Sequence, residues 1–172
     1  MGTVKWGILG AAKIAKEQVI PAMKKSKNTE LYAIASRDIS KAEDFCHKFA
    51  ITKAYDDYNK LISDPNIDAV YIPLPNHLHV PFSINSLKAG KHVLCEKPIS
   101  ITSDEIFELM QVQKETKKIV SEAFMVRFHP QWTQTKKLIQ EGEIGKLNAI
   151  QGLFNYFNTD ANNIRNDVRI GG

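Results

Sequence analysis

Residues 4–15, VKWGILGAAKIA, constrain this chain more than any other stretch. A short apolar run ends in small residues that open a helical pattern, which reads as a strand, a tight turn and a helix start. Backbone N–H groups at a helix start lack internal partners and the helix dipole is positive there, so the turn suits a diphosphate. The dinucleotide fingerprint asks for Gly-x-Gly-x-x-Gly/Ala at this place. The chain offers Gly10, Ala11, Ala12, Lys13, Ile14 and Ala15. Gly10 can make the turn, and Ala15 lets the helix lie close on the strand. Ala12 departs from the pattern, with a Cβ where the backbone would approach the phosphates. An ordinary strand-to-helix turn has the same local sequence, so the assignment depends on the rest of the chain.

Apolar runs alternate with helical patterns along most of the chain, which implies a parallel sheet with crossover helices. Strands are expected at 4–9, 31–35, 53–55, 69–74, 92–95 and 119–125. The first helix carries Ile14, Ala15, Val19 and Met23 at helical spacing, with Pro21 kinking it. Ser40 and Glu43 read as a capping box that starts a second helix near Lys41, with Ala42, Phe45 and Phe49 inward. A short helix is expected at 58–62 and another from Pro81 to Ala89, ended by Gly90. Thr102 and Glu105 form a further capping box, opening a helix with Ile106, Leu109 and Met110 on its core side. Six strands with helices between them make one doubly wound sheet of the α/β class.

Past this point the pattern changes. Residues 129–140 look helical and Glu141-Gly142 ends them; 146–157 read as a long strand, and 158–172 as an Asn-rich loop. A lone strand of that length needs cover for its edges and faces. The expectation is a first domain at 1–123 and, at 124–172, the start of a truncated α+β second domain.

A chain of 172 residues, 43% hydrophobic and 24% charged, has the composition of a globular protein. Its net charge of +4 comes from scattered lysines with no interleaved aromatics, which argues against nucleic acid. No apolar stretch is long enough for a membrane span, and no signal peptide precedes the first strand, so a cytoplasmic protein is expected. Cys46 and Cys95 lie far apart and read as packed, reduced thiols; His47 beside Cys46 makes no metal motif, and no metal is expected.

Four features fall at the carboxyl ends of the strands, where ligands bind in open α/β sheets. Gly10 is the first. The second is Ser36-Arg37-Asp38: Arg37 can pair with a 2′-phosphate, favouring NADP, while Asp38 either serves NAD or starts the next turn, the turn being preferred. The third is Leu74-Pro75-Asn76-His77-Leu78-His79, a rigid loop from which Asn76 and His79 can face a ligand. The fourth is Glu96-Lys97-Pro98. A lysine beside a carboxylate over a cofactor can give and take a proton, and Pro98 fixes the backbone there, through a cis peptide if need be.

With these residues assembled, the whole chain resembles the glucose–fructose oxidoreductase / inositol dehydrogenase family, Gfo/Idh/MocA. The resemblance lies in WGILGAAKIA, Ala35-Ser36-Arg37, IPLPNHLH, VLCEKP and SEAFMVRFHPQ, with EKP the most specific mark. Asn163-Ile164-Arg165 and the final Gly-Gly resemble the NADP-linked dihydrodiol and xylose dehydrogenase subgroup. The resemblance implies a Rossmann dinucleotide-binding domain and a two-domain dehydrogenase. Lys97 then matches the catalytic lysine, and Glu96, Asn76 and His79 match positions near the nicotinamide. Ser36 and Arg37 match the adenosine phosphate grip, and Glu122, Arg127 and His129 fall on a segment lining the cofactor side of the cleft. Leu74 and Pro75 complete the expected cofactor-binding set, with Gly10, Ala11, Ala12, Lys13 and Ile14.

The implied activity moves a hydride between NADP, or NAD, and a hydroxyl-bearing carbon of a sugar, cyclic polyol or dihydrodiol, with Lys97 shuttling the proton. The 172 residues alone are expected to bind nucleotide weakly and catalyse poorly, and the full-length protein to be a dimer or higher oligomer. The alternative is a dinucleotide-sensing regulator without turnover. A methyltransferase is disfavoured, since it wants an acidic residue where Ser36-Arg37 stand.

Overall fold

The computed structural model describes residues 2–160, 163 and 166–170. Strands β1 (Val4–Leu9), β2 (Thr29–Ala35), β3 (Lys53–Tyr55), β4 (Ala69–Ile72), β5 (His92–Cys95) and β6 (Val120–Glu122) form one sheet in the order β3-β2-β1-β4-β5-β6. Every pairing is parallel. This is the strand order of the doubly wound dinucleotide-binding fold, whose direction reverses between β1 and β4.

Alternate residues of the central strands enter opposite cores, as the two-residue period of a strand requires. Leu9, Ala33, Val70, Ile72 and Val93 lie on one face, under Leu61, Ile84, Leu87, Leu109 and Val112. Ile8, Ile34 and Tyr71 lie on the other, against Ala15, Ile20, Phe45 and Phe49. Gly7 permits the close approach of α3 (Tyr58–Ile62): a Cβ there would stand 2.5 Å from Leu61 Cδ2.

The first helix contains a π-helical turn, Ala15–Val19, in which Ile20 N–H donates to Ala15 C=O, before α1 (Ile20–Lys25). Pro21 has no N–H to give to a regular turn, so the expected disturbance takes this form. Helix α2 (Ile39–Phe49) begins earlier than the Ser40/Glu43 pair implied: Asp38 is its N-cap, accepting from Ser40 N–H. Asp38 sits before the first turn with extended backbone, so its carboxylate reaches the free N–H groups first. β4 stops at Ile72, since Pro73 cannot continue a ladder. A 3₁₀ turn, Asn76–Leu78, leads into α4 (His79–Lys88), which places Pro81 in its first turn and is followed by Gly90 at φ +80°.

The capping box of α5 (Ser103–Thr116) forms as expected. Its inward stripe is Leu109 and Val112, with Ile106 half-buried, whereas Met110 is exposed. The helix meets the core along one narrow edge, and Met110 falls just outside it. β6 is shorter than expected and passes into a 3₁₀ turn, Met125–Phe128, and then α6 (Pro130–Gln140). The strand expected at 146–157 does not form: the segment pairs with no strand among the described residues, and Ile150, Leu153, Phe154 and Phe157 are exposed. β propensity needs a neighbouring ladder to become a strand, and none runs beside this one. Of the terminal resemblance, Ile164, Arg165, Gly171 and Gly172 lie outside the described residues.

A buried polar knot ties the far side of the sheet. Asp64, 5% exposed, accepts from Tyr55 Oη and, at 3.1 Å, from Lys53 Nζ, while its other oxygen accepts from Asn66 N–H at 2.9 Å. The buried Lys91 donates to the carbonyls of Asp64 and Ile67 at 2.7 and 2.8 Å. No helix among the described residues is long and apolar enough to cross a membrane.

Candidate cofactor site

The register aligns the carboxyl ends of the strands. Leu9 faces Ala35, Ala35 faces Tyr55, Ile72 faces Cys95, and Cys95 faces Glu122. Gly10, Ser36, Glu96 and Ala123 therefore continue onto one rim. Three strand spacings of about 4.8 Å separate the ends of β2 and β5, so Arg37 and Lys97 stand at the two sides of a gap of about 14 Å. A dinucleotide laid across the switch point between β1 and β4 spans such a gap.

Gly10 donates its N–H to Ala35 C=O at 2.8 Å and takes φ +108°, a conformation that L side chains rarely adopt. A Cβ there would also approach Leu74 Cδ2 to 3.0 Å. Lys13 and Ile14 already lie in the helix, so their N–H groups face the turn at its start. Ala11 and Ala12 are half-buried against the core around Ile8 and Ile34, which gives the Ala12 methyl a place.

At the end of β2, Ser36 is buried and its hydroxyl accepts from Asp38 N–H at 3.2 Å, while Arg37 is exposed. Asp38 is committed elsewhere. It accepts from Ser40 N–H at 3.2 Å and Ser40 Oγ at 2.7 Å, and pairs with Lys41 at 3.5 Å. The Ser40 hydroxyl holds its carboxyl below the ordinary carboxylate range. The preferred turn role of Asp38 is thus the one observed, and the guanidinium of Arg37 is the charge left at the rim.

The loops after β4 and β5 meet. Leu74 is buried, with Pro75 and Asn76 half-buried beyond it. Glu96 accepts from Tyr71 Oη at 2.7 Å through one oxygen and from Lys97 N–H at 3.3 Å through the other. The Lys97 side chain is exposed, and the Lys97–Pro98 peptide is cis. Glu122, at the end of β6, accepts from Ile99 N–H at 3.0 Å and so holds the following loop. Arg127 is exposed in the 3₁₀ turn, and His129 caps α6, its Nδ1 accepting from Gln131 N–H at 3.2 Å.

His79 departs from expectation. It is 1% exposed, with Nδ1 2.7 Å from Pro98 C=O and Nε2 2.7 Å from Leu74 C=O. The ring belongs to the two loops and offers neither nitrogen to the cleft. Conversely, Tyr71 belongs to the site although no motif points to it. A tyrosine in an otherwise aliphatic buried strand needs a partner for its hydroxyl, and that is the available signal. Burial and the Glu96 carboxylate push its phenol well above the ordinary tyrosine range, so it stays a donor.

The residues present fit a dinucleotide: a glycine turn that a Cβ would close, helix N–H groups beyond it, and a guanidinium that pairs with no carboxylate among the described residues. Among the described residues no group of three His, Cys, Asp or Glu gathers to hold a metal.

Comparison with known proteins agrees. Residues 4–124 match the family described as the oxidoreductase family with an NAD-binding Rossmann fold. An uncharacterized oxidoreductase, ORF334, of Rhizobium meliloti is 46% identical over 172 residues, covering 100% of this chain and 52% of that protein. D-xylose 1-dehydrogenase (NADP(+)) 2 of Haloferax volcanii is 38% identical over 168 residues, covering 97% and 51%. The crystal structure of KijD10, a 3-ketoreductase from Actinomadura kijaniata in complex with NADP, superimposes with a TM-score of 0.79 at 36% identity, covering 84% of this chain and 46% of that one. The chain spans about half the length of the curated relatives it matches.

Proposed function

We propose, for a chain that belongs to the Gfo/Idh/MocA oxidoreductase family, that it forms the nucleotide-binding half of an NADP-preferring dehydrogenase or reductase. The substrate class is a small carbohydrate, cyclic polyol or dihydrodiol, oxidised or reduced at a hydroxyl-bearing carbon. The observation that carries this reading is the shared rim: the Gly10 turn, the Arg37 guanidinium and the Lys97 ammonium all leave the same edge of one parallel sheet. The names of the xylose dehydrogenase and the 3-ketoreductase support the substrate class.

When bound, the nicotinamide supplies or accepts the hydride. The Gly10 turn brings the N–H groups of 11–14 to the diphosphate, which they would hold, and Ser36 and Arg37 would take the 2′-phosphate by charge-assisted bonds. Leu74, Pro75 and Asn76 wall the middle of the site. Lys97 carries the proton to or from the substrate hydroxyl, with Glu96 held beside it by Tyr71. Glu122 and Arg127 border the nicotinamide side. Residues 1–123 form the nucleotide domain and 124–172 open the substrate domain, in a cytoplasmic protein that assembles as a dimer or larger.

Lys97→Ala tests the assignment. NADPH binding should survive, and turnover of a panel of aldoses, inositols and dihydrodiols by the whole protein should fall about a hundredfold or more. Persisting turnover sinks the role of Lys97. Binding without any turnover by the unaltered protein would favour the sensing regulator.

A further inference from the structure

The proposed chemistry does not use the bonding of His79. It stands at the start of α4, almost wholly buried, between two carbonyl oxygens that belong to different loops. Pro98 C=O follows Lys97 directly, and Leu74 C=O lies two residues before Asn76. We propose that His79 is a positioning residue, which fixes the Lys97 loop against the Asn76 loop by bridging these two carbonyls.

Both contacts are 2.7 Å, at the short end for nitrogen donating to oxygen. A carbonyl accepts and never donates, so each bond needs a hydrogen on the ring nitrogen that makes it. A neutral imidazole carries one such hydrogen, and the imidazolium carries two. The neutral ring therefore binds one loop and turns a lone pair towards the other, while the charged ring binds both. The loop spacing, and with it the place of Lys97, follows the protonation of His79.

The titratable groups on the neighbouring segments are His77 on the same turn and Cys95, Glu96 and Lys97 at the end of β5. Glu122 lies at the end of β6, and Asp104 and Glu105 in the first turn of α5, which packs on α4.

The inference rests on the proposed roles of Lys97 and Asn76 only for its consequence, since the bridge itself is tested without substrate or cofactor. Side-chain ¹H–¹⁵N NMR of the whole chain across a pH series reports the His79 ring, and backbone amides report Lys97 and Asn76. The expected result is that both amides move in step with the His79 titration, and that this step vanishes in His79→Gln, which keeps a single donating group. Amides that stay still while the ring titrates overturn the proposal, as does an identical step in the variant. If His79→Gln does not fold, the unaltered chain still decides: two protected ring N–H signals in the charged form support the bridge, and rapid exchange of either overturns it. NADPH affinity should fall about tenfold in a folded His79→Gln, the worth of one lost hydrogen bond. Failure of the unaltered chain to bind NADPH would count against the proposed function and leave the NMR result standing.

Discussion

Replacing Asp64 by alanine removes the centre of the polar knot that holds the α3–β4 loop to β3. The magnitude comes from its bonds. The Tyr55 hydroxyl loses a charged acceptor, a loss of about 1.5–3 kcal/mol, and the Asn66 turn bond adds about 1 kcal/mol. Lys53 has 48% of its side chain exposed, so its ion pair adds little. The sum is about 2.5–4 kcal/mol, which at about 2 kcal/mol per M lowers a urea midpoint by about 1.2–2 M.

The pH dependence of that loss has a definite sign. Burial alone would raise the Asp64 carboxyl, but hydrogen bonds from Tyr55, Asn66 and Lys53 outweigh it and hold the group well below the ordinary range. A depressed folded value means that the stabilisation is complete above about pH 3.9 and is lost as pH falls below it. Urea titrations followed by circular dichroism at pH 7, 5.5 and 3 should show an equal gap between the two proteins at the first two and a narrower gap at the third. A midpoint shift under 0.5 M, or a gap that widens in acid, would refute the reasoning.

Three further outcomes are expected. Gly10→Ala forces an L side chain to φ +108° against Leu74, costing about 2 kcal/mol, so thermal unfolding should fall by about 4–8 °C and NADPH binding should weaken. Tyr71→Phe strips Glu96 of a donor inside the fold and should cost about 1.5–3 kcal/mol in urea unfolding; adding Glu96→Gln should cost less than the sum, and strict additivity would deny the pair. Arg37→Ala should weaken NADPH about tenfold and leave NADH unchanged in parallel titrations, as loss of one exposed charge-assisted pair requires.

The sheet is legible in the sequence because its information is local. β4 is four consecutive buried residues, β5 a short run between Gly90 and the EKP triplet, and the Thr102/Glu105 pair names its own helix end. The rim is legible because strand ends in a parallel sheet converge whatever their sequence. The bonding of His79 is not legible for a reason that lies outside its neighbourhood: one of its two partners, Pro98 C=O, is nineteen residues away. Residues 146–157 carry β-forming side chains but have no neighbouring ladder among the described residues, and periodicity alone cannot report whether a partner exists. Asp38 takes the cap from Ser40 because two nearby residues of the same capping class compete, and the extended backbone at 38 decides between them.

The proposed function has one rim grip an NADP molecule, with Arg37 at its phosphate end. Titration of this chain with NADPH and with NADH, read by quenching of Trp6 and Trp132 fluorescence, tests it most directly. Both should bind saturably, with NADPH the tighter. NADH binding as tightly as NADPH, or more tightly, would contradict it.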